Sequence, residues 1–457
     1  MQGSPSNSAR GSLRGLTAGG DRLKAARRFL RWIADRPAAF VLLTLVGIAE
    51  RLGWTLTGHL PSLDTELRNV AMHWARTGEI ADAFRPGSGF TAHVGALPVL
   101  IPGMVYRLFG VDTPASNVVL TALSTLAIVA TAFVLNRVFA RLGMAAVARG
   151  AAVLIICVVP LHIEIEARSL RVYENGYAAL ALALLILATV RVETRTASIA
   201  DLLGLSALTA FIVALSPTAG FCGIAILAIF ALRRLDWRGR FGAIAILGVA
   251  LALTILPWAL RNQAAVGAPV LTRDNFGLEF AIGTHPAAVA PVDPAAIYLQ
   301  RLAEVHPHGS DPAYRALEAA GGEVAYARGL GDATWRWVAT HPGDAAAIWA
   351  RHAREFFLPP AWMWLHSGPP DITTPLRIVL VDIIAVLALA GLSVALIRRQ
   401  WIYLYLVPPI VLLPLPYLLS QPLVRYRYVI ASLLIFLAMD CVARLTGGGQ
   451  GALKRPA

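Results

Sequence analysis

Long apolar runs alternate with short charged stretches along almost the whole chain. They fall at roughly 38–57, 115–137, 150–163, 174–192, 201–216, 218–232, 241–260, 376–397, 401–419 and 428–445. A helix that crosses a bilayer upright needs about 20 apolar residues, and most of these runs are close to that length. A further run, 96–109, is interrupted by Pro98, Pro102 and Gly103. The pattern predicts an all-α polytopic membrane protein, and it is not the alternation of a half-buried sheet.

The basic clusters decide how the chain threads. If 96–109 does not span and the N-terminus is cytoplasmic, then Arg27–Arg31, Arg137–Arg141, Arg191–Arg195, Arg233–Arg240, Arg398–Arg399 and Lys454–Arg455 all lie on one face. That is the inside excess of arginine and lysine that orients membrane proteins. The run 96–109 is therefore expected to be re-entrant or juxtamembrane, leaving about ten spans with both termini cytoplasmic. Residues 1–36 are expected to be a disordered basic cytoplasmic arm, rich in Ser, Gly and Arg in its first part, with no cleavable signal apparent. Residues 37–260 form an N-terminal membrane region that includes a first outer loop, 58–113; 261–375 form a periplasmic segment, 376–446 the C-terminal spans and 447–457 a cytoplasmic tail. Two helices are predicted in the periplasmic segment, Glu323 to Thr340 and a second opened by Pro342.

Composition agrees: 57% of residues are hydrophobic and 15% charged, where a soluble domain carries about 25% charged. The net charge of +13 sits in short clusters between apolar runs, so its partner is the lipid bilayer and no nucleic acid is expected. Cys157, Cys222 and Cys441 lie inside apolar runs, where they act as small hydrophobes.

Candidate chemistry gathers at the outer face. Asp64, just beyond the first span, has two readings: general base toward an acceptor hydroxyl, or N-cap of the helix that follows. Arg168 and Arg171 sit with Glu164, Glu166 and Glu174 in a short outer turn, and Arg425 and Arg427 occupy the last one. Arginine is disfavoured in short outer loops, and its fork of donors suits phosphate oxygens; mutual ion pairing is the alternative. His93 precedes the broken run, and Arg261 ends the seventh span, where anchoring is its simplest role. No Walker loop, dinucleotide fingerprint or zinc-type cluster is present in the sequence, so no cofactor is implied and a divalent metal has no legible ligand set.

Four segments together resemble one family: LDTELRNVAMHWARTGE, TAHVGALPVLIPGMVYRLFG, PWALRNQAAVGAPVLTRDNFGLEFAIGTHP and RYRYVIASLLIFLA. They are similar to bacterial relatives of the dolichyl-phosphate-mannose protein mannosyltransferases and lipid A aminoarabinose transferases, which have the GT-C fold. The resemblance implies a GT-C-like bundle with periplasmic loops and a small helical outer segment, in a bacterial inner membrane. It also implies inverting sugar transfer from a polyprenyl-phosphate-linked sugar donor to a glycan, lipid or protein acceptor. On it, Asp64 matches the catalytic acid of the first outer loop and Glu174 an acid at the start of a later span; Arg168, Arg171, His93, Arg261, Arg425 and Arg427 are the candidates for substrate binding. Where many members carry a Pro-X-Tyr-Pro type sequence, this chain reads GALPVLIP. A transporter would instead show ionisable residues inside spans, and only Asp382 and Asp440 fit that description. A membrane scaffold for cell-envelope glycans would need no catalytic residue at all.

Overall fold

The computed structural model describes residues 8–58, 64–366 and 373–447, with side chains from residue 21 onward apart from 365 and 366. The expected cytoplasmic tail carrying Lys454 and Arg455 and the start of the arm lie outside the described residues, as do positions 59–63 of the expected first outer loop. The described chain is helical. In order it forms α1 (Ser8–Asp35), α2 (Pro37–Leu56), α3 (Glu66–Thr77), α4 (Ala96–Phe109), α5 (Pro114–Arg141), α6 (Ala146–Val158), α7 (Ile163–Ala167), α8 (Asn175–Val192), α9 (Ile199–Leu215), α10 (Pro217–Arg234) and α11 (Trp237–Val266). The outer segment adds α12 (Phe276–Gly283), α13 (Pro294–Val305), α14 (Asp311–Ala319), α15 (Glu323–Thr340), α16 (Pro342–Phe357) and α17 (Ala361–His366). After α18 (Thr374–Ile397), a proline-broken stretch holds α19 (Val407–Val411) and α20 (Leu415–Leu419), and α21 (Val424–Leu445) closes the chain.

All ten apolar runs are helical, but eight of the described helical segments are long and apolar enough to cross a membrane, or nine if a bent pair counts as one span. That pair is α6 with the Ile163–Arg171 stretch, turned by 71°. Pro160 sits at the break; its ring removes an N–H, and the preceding Val159 leaves the helical region at φ −118, ψ 86. α9 is short of a full span, at 17 residues. α4, the broken run, is a 14-residue helix too short to cross, with Pro102 inside it. Fusions of a topology reporter after residues 145 and 236 should read cytoplasmic and those near 80 and 310 periplasmic; a cytoplasmic signal near 310 would overturn the orientation derived from the basic clusters.

The arm departs from expectation. Instead of a disordered segment it forms α1, whose end lies against α6. Ile33 is buried, Asn136 Nδ2 donates to the Ala34 carbonyl at 2.7 Å, and Arg149 pairs with Asp35 at 3.0 Å. A Cβ at Gly150 would stand 1.9 Å from the Leu30 carbonyl oxygen, so only glycine lets the helices meet there. The apolar Leu30, Trp32 and Ile33 supply the packing that a Ser/Gly/Arg composition conceals.

A large apolar core joins the spans, and two smaller ones organise the outer face. One packs Leu67, Val70 and Ala71 of α3 against Val99, Val105 and Tyr106 of α4 and Leu120 of α5. The other joins Leu278 and Ile282 of α12 to Tyr298, Val305, Ala327 and Leu423. The two predicted outer helices are α15 and α16, with the same starting residues. Two glycines seat α12 tightly: a Cβ at Gly277 would come 2.0 Å from the Ala327 carbonyl of α15, and one at Gly283 2.2 Å from Ser420. Gly277→Ala should therefore force backbone movement and cost about 1–3 kcal/mol, read as a lower thermal midpoint in detergent. An unchanged midpoint would show that α12 tolerates displacement.

Candidate active site

A cavity of about 730 Å³ opens where the outer ends of α8, α10 and α21 meet α3, α12 and the loop before α4. One wall is apolar and includes Phe221, Ile224, Leu412 and Leu415. Phe221 and Leu415 are about half exposed at 59% and 47%, so this wall continues onto the flank of the bundle. The lining also carries ionisable side chains: Glu66, Glu174, Glu279, Arg273, Arg425 and His93.

α3 brings Glu66 to this wall. Thr65 is the N-cap, its Oγ1 accepting from Arg68 N at 3.3 Å, and Glu66 is the first helical residue, beside buried Leu67. Asp64 is therefore neither the cap nor a cavity residue. Its side chain is 75% exposed and makes long pairs with Arg68 at 3.9 Å and His308 at 3.6 Å, contacts of small energetic weight at an exposed site. Glu66 Oε1 lies 3.2 Å from His306 Nε2. Burial alone raises the pKa of Glu66, but the imidazoles of His306, His93 and His308 more than reverse this and bring it to about 2.

His93 is held by its loop. Glu323 accepts from Thr91 Oγ1 at 2.7 Å and from the Ala92 amide, Arg261 Nη1 donates to the Thr91 carbonyl at 2.7 Å, and the Asp274 amide donates to the Ala92 carbonyl at 3.2 Å. Arg261 is thus an anchor for the His93 loop, stacked near Trp258 and Phe90, and is not on the cavity wall. Burial drives the His93 imidazole down to about 3, so it is neutral at physiological pH. Behind it, Asp274 is pushed up to about 8 by burial first and the neighbouring Glu323 next, and Glu323 is raised as well, again chiefly by burial.

Arg425 is one of two arginines that line the cavity. Its guanidinium donates to Tyr173 Oη at 3.2 Å and Tyr426 Oη at 3.0 Å and stacks on both rings, while Nε has no partner among the described residues. Arg273 donates to Glu174 Oε1 at 2.6 Å, and its Nε is likewise without a partner. Glu279 faces the cavity from α12 with no hydrogen bond or ion pair among the described residues, and burial raises its pKa against the pull of His306 and Arg425.

The structure brings Glu174, His93 and Arg425 together and leaves the other candidates elsewhere. Arg171 is buried below, donating to Thr55 Oγ1 at 2.9 Å and Asn117 Oδ1 at 3.2 Å, and Arg168 pairs with Glu164 at 2.7 Å. Arg427 donates to the Val381 carbonyl at 3.2 Å on the far side of α21. All three brace the bundle. Glu66, Glu279, Arg273 and His306 were not singled out in the sequence. Glu66 lies two positions from Asp64, and Arg273 and Glu279 lie within the segment PVLTRDNFGLEF. Glu66, His93 and His306 also place one ligand-type atom each within 4.8 Å of one another, a grouping with no spacing motif because it comes from three separate segments.

No family model matches the chain, and no curated protein sequence matches it. Among solved structures it is similar to the Archaeoglobus fulgidus oligosaccharyltransferase in complex with Zn and sulfate, at 13% identity and a TM-score of 0.48 over 89% of this chain and 49% of that one. It is similar to the archaeal oligosaccharyltransferase AglB from the same organism, in complex with an inhibitory peptide and a dolichol-phosphate, at 13% identity and a TM-score of 0.48 over 93% and 53%. It is also similar to ArnT from Cupriavidus metallidurans bound to undecaprenyl phosphate, at 16% identity and a TM-score of 0.39 over 90% and 78%. The chain spans about half the length of the archaeal proteins.

Proposed function

We propose that this chain is a membrane glycosyltransferase that moves a sugar from a polyprenyl-phosphate donor to a hydroxyl acceptor at the outer face. The observation that carries this reading is one chamber lined by an unpaired carboxylate, Glu279, and by two arginines each with a donor left over, Arg425 and Arg273. Its apolar wall opens toward lipid, as a polyprenyl chain requires. The resemblance of the four sequence segments supports the same chemistry.

The lipid tail lies along Phe221, Ile224 and Leu415, with its phosphate at Arg425 and Arg273. The acceptor oxygen attacks the anomeric carbon as the bond from that carbon to the phosphate oxygen breaks. The bonding pair leaves with polyprenyl phosphate, whose growing charge the arginines offset. The acceptor proton passes to Glu279. A carboxylate raised above its ordinary pKa is the better base, since proton transfer is most effective when the catalytic pKa approaches the working pH. Inversion at the anomeric carbon follows from this single displacement.

Of the two acids inside late spans, Asp440 accepts from Tyr403 Oη at 2.8 Å and Arg444 Nε at 2.9 Å, a closed cluster, while Asp382 Oδ1 has no hydrogen-bond partner among the described residues. The test is purified protein in nanodiscs with a panel of polyprenyl-phosphate sugars and cell-envelope acceptors, following polyprenyl phosphate release together with glycosylated product. Coupled release supports the reading; movement of intact donor between leaflets without release would replace it with transport. In the same assay Asp64→Asn should turn over within about twofold of wild type, since an exposed, loosely paired carboxylate carries little energy. A loss beyond about a hundredfold, the lower range for a general base, would return the proton to Asp64.

A further inference from the structure

We propose that α1 is an anionic-lipid-binding helix that lies along the bilayer surface, at the end of the bundle where α5 stops and α6 begins. The helical repeat sorts its described residues onto two faces. Lys24, Arg27, Arg28 and Arg31, spaced i, i+3, i+4 and i+7, form one face. Leu23, Ala26, Leu30 and Ile33, with Phe29 beside them, form another. A basic face joined to an apolar one is the pattern of a helix held in a membrane interface.

Packing within the protein covers only the last turns of the apolar face. Ile33 is buried, and Leu30 meets α6 at Gly150. Arg149 fastens that end, donating from Nη2 to Asp35 at 3.0 Å and from Nη1 to Asn136 Oδ1 at 2.8 Å. Asn136 stands in the last two turns of α5 and Gly150 in the second turn of α6, so α1 docks where these apolar helices end. Toward the N-terminus the same face runs on uncovered, with Leu23 56% and Phe29 49% exposed. Phe29 stacks on Trp32, ring centroids 6.1 Å apart, and tryptophan is at home at the headgroup level.

The charges say what covers the rest. Asp35 is paired with Arg149, and Asp21 lies 3.4 Å from Lys24. Arg27, Arg28 and Arg31 are exposed and make no ion pair among the described residues. Lys24 with Arg28, and Arg27 with Arg31, are like charges one turn apart, which weakens a helix standing alone in water. Phosphodiester headgroups relieve that repulsion while Leu23 and Phe29 reach the acyl boundary, and a polybasic segment is drawn to a negatively charged leaflet. This surface does not depend on the sugar-transfer reading.

Cys157, Cys222 and Cys441 are buried, so a cysteine placed on α1 takes a nitroxide label selectively. Full-length Leu23→Cys and, separately, Arg28→Cys are labelled in nanodiscs of phosphatidylcholine with and without phosphatidylglycerol. Power saturation by oxygen against a neutral nickel chelate reads the depth of each label. With phosphatidylglycerol, the label at 23 should move into the oxygen-rich layer while the label at 28 stays open to the chelate. Molar salt, which cuts the screening length from about 10 Å to about 3 Å, should reverse most of that movement. Replacing Lys24, Arg27 and Arg31 with Gln in the Leu23→Cys chain should abolish the response without lowering the thermal midpoint, because all three are exposed. Equal depth at 23 and 28 in the anionic discs overturns the proposal. So does a response that survives both salt and the three substitutions. If the substituted chain does not fold, the salt series on the unsubstituted one decides.

Discussion

Glu279→Gln should fold and bind the lipid donor but transfer sugar at least about a hundredfold more slowly. The amide keeps the size of the side chain and removes only its capacity to take a proton. Glu279 makes no hydrogen bond or ion pair among the described residues, so no structural contact is lost with the charge. The same account fixes the pH dependence of the wild type. The base works ionised, and burial holds its pKa above the ordinary 4.5. Turnover should therefore be low in acid and climb with pH through a midpoint above that value, then level off. A midpoint below 4.5, or wild-type turnover by a well-folded Glu279→Gln, would move the proton to another group. Glu174 is the less suitable substitute, because Arg273 already holds one of its oxygens.

Arg425→Ala should cost about 1.5–3 kcal/mol in donor use, roughly ten- to a hundredfold, expressed as a higher KM for the lipid-linked sugar together with a lower kcat. Arg425 is held by Tyr173 and Tyr426 with Nε left over, an arrangement that presents a fixed, planar cation. Lysine should restore only part of the loss, since a point charge cannot stack on both rings or offer a fork. Arg427→Ala is the internal comparison. It removes a buried donor to the Val381 carbonyl away from the cavity, so it should lower thermal stability while leaving the KM of the folded fraction near wild type. Equal effects of the two substitutions on KM would show that the phosphate is not read by Arg425 in particular.

Much of the architecture was legible because membrane helices announce themselves by length and hydropathy. The reading of 96–109 as a non-spanning helix followed from the basic clusters, which share one face only if that run does not cross, and α15 and α16 from their amphipathic pattern and the opening Pro342. The arm was misread because Ser, Gly and Arg dominate its composition, whereas a short apolar stretch, Leu30 to Ile33, docks it on α6. Site residues were legible only by neighbourhood. Arg425 and Arg427 look equivalent in LVRYRY, yet two residues on a helix are separated by about 200°, so one reaches the cavity and the other the bundle interior. Asp64 and Glu66 differ in the same way: the burial of Leu67, Val70 and Ala71 sets which acid turns inward. Glu279 gave no signal because its surroundings are assembled from α3, α12 and α21, more than two hundred residues apart at the extremes.

The central claim is that the outer cavity is where a lipid phosphate bearing a sugar is held. It is tested most directly by a polyprenyl phosphate carrying a photoreactive group next to the phosphate, irradiated with the protein in nanodiscs and mapped by peptide mass spectrometry. The structure predicts labelling within 216–225 and 412–426, which form the apolar wall and the Arg425 edge, and its suppression by unlabelled lipid-linked sugar. Labelling confined to other spans, or labelling of these segments that the sugar donor does not compete away, would contradict it.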